Sequence, residues 1–363
     1  MESSTIGVAW PEFNDGLDYT DNYNKSSSGS FKSSSSSSES DSLIGFYSAN
    51  YKSSAPTQGW LQRIRNGQIT VNHQIVTDPN TILTIGSKLV YHRLPWKEPD
   101  APFLIQVLYE DDHLVAFNKP SGLQVLPGGL FQQRTLLTQL QWTRRYQYAV
   151  PVHRLGRGTS GILLCAKTKL SKQTLASYFA NGSILHQNKS NPRQISKIYR
   201  ALVTGIIQQN QVVIKQPIGL ITYPGVAQGL YVASSSGKPS LSQVTVLERN
   251  IQANNSLVQV EIQSGRPHQI RIHLSYIGHP LQGDPLYVAG GHPDNCFSSG
   301  SASANCAQDG GYERPVNAVP GDCGYYLHAH QVVLQHPATT EIIKITAPLP
   351  PVLEGKAVAS FIQ

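Results

Sequence analysis

The stretch His153 to Lys167, His-Arg-Leu-Gly-Arg-Gly-Thr-Ser-Gly-Ile-Leu-Leu-Cys-Ala-Lys, constrains the fold more than any other. Its first half is polar and broken by Gly156, Gly158 and Gly161, the pattern of a tight backbone turn. Its second half, Ile162 to Ala166, is apolar without alternation and reads as a buried strand. A polar turn held at the end of such a strand is where a fold can fix reactive groups. The chain must therefore build a sheet around this strand.

A chain of 363 residues, 39% of them hydrophobic, can bury a normal core in one large domain and one small one. The net charge of +7 is unevenly divided. Residues 1–50 carry seven acidic side chains against Lys25 and Lys32, about −5, which leaves about +12 on the remainder. A basic body with an acidic extension suits a nucleic-acid partner. No apolar run approaches the ~20 residues of a membrane span, and no targeting signal is recognisable, so the expectation is an intracellular chain, cytoplasmic or nuclear, without a membrane partner. Monomeric state is the default expectation. Cys165, Cys296, Cys306 and Cys323 are too sparse for a disulfide framework, and with His292 they lack the paired spacing of a zinc site, so no metal is expected.

Along the chain, residues 1–42 scatter a few apolar side chains before a Ser-rich run and read as a disordered tail. Residues 43–94 read as a small α/β module. Leu43 to Tyr47 open a short apolar segment, and Trp60, Leu61 and Ile64 have helical spacing beside Arg63 and Arg65. Gly67 can cap that helix, and Ile69 to Val76 reads as a tight hairpin. Pro95 to Pro102 reads as a stiff linker. Residues 103–352 form the large domain, interrupted at 288–324 by a surface insertion rich in Gly, Ser and Asn, and residues 353–363 are a C-terminal tail. Helical spacing runs from Leu170 to Gly182, and Ser196 to Gly205 is a strand.

The stretch His153-Arg154-Leu155, then Thr159-Ser160-Gly161, then an apolar strand ending in Ala166-Lys167, resembles the active-site segment of RNA pseudouridine synthases of the RluA type. Other landmarks stand in the same order: Asn118-Lys119-Pro120-Ser121-Gly122, then Lys197-Ile198-Tyr199-Arg200-Ala201, then Gly265-Arg266-Pro267-His268-Gln269-Ile270-Arg271, and lastly Leu327-His328-Ala329. Residues 43–94 resemble the alpha-L RNA-binding module of a small-subunit ribosomal protein.

The resemblance implies an α+β fold with a mixed, mainly antiparallel sheet, and a reaction without cofactor that converts uridine to pseudouridine in structured RNA. It leaves ribosomal, transfer and messenger RNA open as substrates. It implies Tyr199 packing on the base and Arg271 pairing with a catalytic aspartate as the catalytic pair. It also implies RNA contacts from Arg63, Arg65, Lys119, Arg154, Arg157, Arg266 and His268. The aspartate's own place is taken by Gly156, which has no side chain to act as nucleophile or base. Between Asp112 and Glu248 there is no Asp or Glu at all, and Asp111, Asp112 and Asp284 are the carboxylates nearest to the landmarks. Two readings stay open: a synthase that uses another group, and a catalytically silent RNA-binding protein that keeps the pocket.

Overall fold

A computed structural model describes residues 4–24, 42–52, 54–181, 195–223, 226–293, 306–308, 310–311, 313–315 and 323–355. The first strands are β1 (Thr5–Gly7) and β2 (Leu17–Asn22), followed by helices α1 (Leu43–Asn50) and α2 (Thr57–Arg65). Strands β3 (Ile69–Val71), β4 (Gln74–Val76) and β5 (Lys88–Arg93) complete a small sheet of order β2-β5-β3-β4. Ser42 caps α1, and Gly67 leaves α2 at φ +72°. The β3–β4 turn runs through Asn72 and His73 at φ 49° and 69°, the left-handed pair a two-residue hairpin requires. The core of this unit is aromatic: Trp60 stacks on Tyr47 at 4.4 Å, and the Arg63 guanidinium lies 4.8 Å from the Trp60 ring and 4.9 Å from that of Tyr91. Arg63 is fully buried and donates to Ser54 Oγ, so it cannot reach RNA and is a core residue, correcting its assignment as an RNA contact.

The large sheet is built from β6 (Leu104–Glu110), β7 (Leu114–Lys119), β8 (Val150–Pro151), β9 (Ser160–Ala166), β10 (Ile195–Thr204) and β11 (Gln211–Ile214). Helix α3 (Leu136–Trp142) follows β7, and α4 (Lys169–Asn181) follows β9. A two-stranded ribbon, β12 (Ile218–Tyr223) with β13 (Val226–Ala233), precedes β14 (Ser242–Asn250), β15 (Asn255–Ile262) and α5 (Gln269–Tyr276). Short pairs β16 (Tyr287–Ala289) with β17 (His292–Pro293), and β18 (Cys306–Gln308) with β19 (Glu313–Pro315), lie ahead of β20 (Leu327–Gln335) and β21 (Ile342–Thr346).

The strand order is β1-β6-β7-β9-β20-β10-β15-β14-β11, with β8 on β9 and β21 on β20. Among the described strands, only the β9–β20 pair is parallel. Strand β9 is central, and its apolar run is buried on both faces. Ile162 and Leu164 pack with Leu175 and Tyr178 of α4, whereas Leu163 and Cys165 pack with Leu136 and Leu140 of α3. Burying one leucine of this run contributes about 2 kcal/mol.

Three expectations fail. Residues 4–24 are not a free tail: β1 extends the large sheet by pairing with β6, β2 pairs with β5, and Trp10 donates from its indole to the Ala101 carbonyl. Partners distant in sequence stabilise this segment, so its own weak periodicity gave no sign of it. The Ser-rich run 25–41 lies outside the described residues. The segment 95–102 is a packed seam and not a solvated linker. Trp96 is 1% exposed beneath the Arg93 guanidinium, and buried Glu98 accepts from Asn14 and from the backbone N–H groups of Gln133 and Arg134. The insertion is also not merely on the surface, because Gln68 of the small unit donates to the carbonyl of Gly310.

Candidate active site

Across the sheet, Gly161 of β9, Ala329 of β20 and Tyr199 of β10 stand in one row. Gly161 has φ +101°, and a Cβ there would lie 2.3 Å from the Ala329 carbonyl oxygen, so only glycine allows the two parallel strands this close. A register shift between Ile198 and Tyr199 in the β10–β20 pairing locally re-aims Tyr199, as bulges beside active sites do. The tyrosine ring is buried with Leu155, Ile270, Leu274 and Tyr325, and burial pushes its hydroxyl up to about 12.

The turn that carries Gly156 is fixed at almost every residue. Thr159 N–H donates to the Gly156 carbonyl, closing a four-residue turn. The Arg157 carbonyl accepts from Gly122 N–H at 2.8 Å and from Lys119 Nζ at 3.1 Å, and the Gly158 carbonyl accepts from Ser121 Oγ at 2.7 Å. Lys119 is fully buried and also donates to the carbonyls of Pro120 and Leu123. It therefore ties the Asn-Lys-Pro-x-Gly landmark to the reactive turn, which corrects its assignment as a phosphate contact. Upstream, His153 Nε2 accepts from Leu164 N–H at 2.9 Å, so in the neutral ring the proton is on Nδ1. Burial and the nearby Lys197 push its pKa down to about 3.

His153, Phe179, Lys197 and Tyr199 line a cleft of about 20 Å³, room for one water.

Arg271 on α5 is 2% exposed. Its Nε and Nη2 donate to the two carboxylate oxygens of Asp284 at 2.7 and 2.8 Å. Burial works against its charge, but the bonds to Asp284 outweigh it and raise its pKa. Asp284 Oδ1 also accepts the N–H groups of Leu286 and Tyr287. The carboxylate beside Arg271 is thus Asp284, already engaged in four hydrogen bonds. Nη1 of Arg271 has no hydrogen-bond partner among the described residues. The guanidinium lies 4.3 Å from the Tyr325 ring centre and 5.0 Å from that of Tyr287.

A Cβ built on Gly156 would lie 2.9 Å from the Tyr325 hydroxyl and 3.4 Å from Thr159 Oγ1, and these two oxygens are 3.2 Å apart. Tyr325 was not singled out in the sequence, although it stands two residues before the Leu327-His328-Ala329 landmark. Asp111 is elsewhere. It caps the β6–β7 turn, accepting from His113 and Leu114 N–H, and β7 begins opposite Ala166, the end of β9 remote from Gly156.

Of the residues assigned to RNA contact, Arg65 and Arg154 are exposed. Arg157 and Arg266 are half-buried, the first over the Phe131 ring and the second donating to the Pro239 carbonyl. His268 precedes α5 at φ +54°. Tyr287 gives its own proton to the Tyr231 carbonyl, so His268 Nδ1 donates to the Tyr287 oxygen and its Nε2 is left as an acceptor in the neutral ring.

The model of the RNA pseudouridylate synthase family matches residues 113–276. RNA pseudouridine synthase 5 of Arabidopsis thaliana is 61% identical over 370 residues, covering 97% of each chain. The protein of that name from Oryza sativa subsp. japonica is 58% identical over 373 residues, 97% of this chain and 91% of its own. Among solved structures, human RNA Pseudouridylate Synthase Domain Containing 1 aligns with a TM-score of 0.47 and 26% identity, over 69% of this chain and 86% of that one. The chain belongs to the RluA-type family of RNA pseudouridine synthases, isomerases that act on RNA.

Proposed function

We propose that this chain isomerises uridine in structured RNA as a single protomer, with Tyr199 against the target base and Arg271 as the fixed cation of the site. The observation that carries the reading is the frame around Gly156. Loop, tyrosine and arginine are assembled by long-range hydrogen bonds that an abandoned pocket has no reason to keep. All of these groups come from one chain, so no second copy is needed to complete the site.

The small unit of residues 43–94 serves as an additional RNA-binding module, with exposed Arg65 on its helix as a phosphate contact. The target base leaves its stack before reaction, at a cost of a few kcal/mol, and packs against Tyr199. The buried free thiol of Cys165 suits a reducing, intracellular compartment.

The test is tritium release from RNA labelled at uracil C5, incubated with the full chain. Release at catalytic turnover is expected, and RNA binding without any release would support the silent RNA-binding protein instead.

A further inference from the structure

The family's aspartate is absent at 156, yet the space is not empty. The segments that flank the insertion close on each other there. Gly283 and Gly324 have φ +79° and +101°, and a Cβ on Gly283 would lie 2.3 Å from the Gly324 carbonyl oxygen. Tyr326 N–H donates to the Gln282 carbonyl across the same junction. This closure sets both Asp284 and Tyr325 against Arg271 and brings the Tyr325 hydroxyl into the volume an aspartate at 156 would fill. With any larger residue at 156, the tyrosine oxygen and the new side chain would compete for one place. The phenol is held from behind by Arg271 against its ring and at its oxygen by Thr159.

Resting on the reading of the chain as an active synthase, we propose that Tyr325 supplies the catalytic oxygen that Gly156 lacks. Tyrosine is a competent nucleophile at sugar anomeric carbons. In the first half-reaction the Tyr325 oxygen bonds to C1′ as the N1–C1′ bond breaks, and the phenol proton passes to N1 of the departing uracil. The base then turns over. In the second half-reaction C5 bonds to C1′, the C1′–oxygen bond to Tyr325 breaks, and the proton lost from C5 restores the phenol. Every atom is retained, no oxidant or reductant takes part, and the N1 proton of the product is the one that began on Tyr325. Arg271 stabilises the oxygen as it carries charge, and Asp284 keeps that cation in place. The other titratable groups facing the phenol are Tyr287 and Tyr199.

The experiment compares tritium release by wild type and Tyr325→Phe, together with the affinity for the same RNA and the thermal midpoint. Phe keeps the ring against Arg271, so folding and affinity are expected within about threefold of wild type while release falls at least ~100-fold. Release by Tyr325→Phe within threefold of wild type would overturn the proposal, whereas no release by wild type would overturn the reading beneath it. Should Tyr325→Phe fail to fold, 3-fluorotyrosine placed at 325 decides. Its more acidic phenol is expected to move the loss of rate at high pH to lower pH, and an unmoved profile would overturn the proposal.

Discussion

The ion pair between Arg271 and Asp284 gives the sharpest thermodynamic prediction. Both side chains are removed from solvent, at 2% and 0% exposure, so their interaction is not screened. Asp284→Ala leaves a buried guanidinium without its counter-ion, a change that costs about 3–5 kcal/mol. It also orphans the N–H groups of Leu286 and Tyr287, about 1 kcal/mol more for each one left without water. The expected loss is therefore ~4–6 kcal/mol, a large share of the ~5–15 kcal/mol that holds a folded domain together. Asp284→Asn retains an oxygen for the two N–H groups, so it is expected to lose less, ~2–4 kcal/mol. The paired change Arg271→Met with Asp284→Leu removes both charges and is expected to be milder than Asp284→Ala. Urea titrations followed by tryptophan fluorescence measure all three midpoints. A loss below about 1 kcal/mol for Asp284→Ala would refute the assignment of Asp284 as the counter-ion of Arg271.

Other consequences follow from the same contacts. Lys119→Met removes the donor to three carbonyls and is expected to cost ~3 kcal/mol and slow turnover. The slope of log affinity against log salt should stay unchanged, and a shallower slope would mean that Lys119 does meet phosphate. Arg65→Ala is expected to lower that slope by about one phosphate contact with stability intact. Gly161→Ala meets both a left-handed backbone and the Ala329 carbonyl, and a melting curve should show a loss of ~2–5 kcal/mol. His153, His273 and His328 have pKa values pushed down by burial to about 3, 4 and 4, whereas the unfolded chain protonates near ~6.5. Their contribution is complete above that pH. It is lost as pH falls from ~6.5 toward ~4, at roughly 1.4 kcal/mol per pH unit for each histidine, and a urea midpoint equal at pH 7 and pH 5 would contradict this.

The sequence specifies local structure where the physics is local. Helix α2 with Gly67 behind it, the Asn72-His73 hairpin and the buried strand β9 follow from periodicity and turn chemistry. Arg63 and Lys119 look like RNA contacts in the sequence because a cation within a motif looks the same whether it faces phosphate or a ring of carbonyls. Burial decides between the two, and it depends on partners such as Trp60, Tyr91 and Leu123. Strands β1 and β2 pair with β6 and β5 far along the chain, so their own composition gave no signal. Tyr325 meets Gly156 only because the chain on either side of the insertion closes on itself at Gly283 and Gly324. No spacing in the chain states that, although the absence of a carboxylate between Asp112 and Glu248 was reason to look for a substitute outside that span.

The measurement that tests the account most directly is tritium release from C5-labelled RNA by wild type alongside Gly156→Asp. Release by wild type and slower release by Gly156→Asp are expected, because the new Cβ lies 2.9 Å from the Tyr325 hydroxyl and displaces it. Release by Gly156→Asp with none from wild type would contradict it, showing a pocket that binds RNA and waits for the carboxylate it has lost.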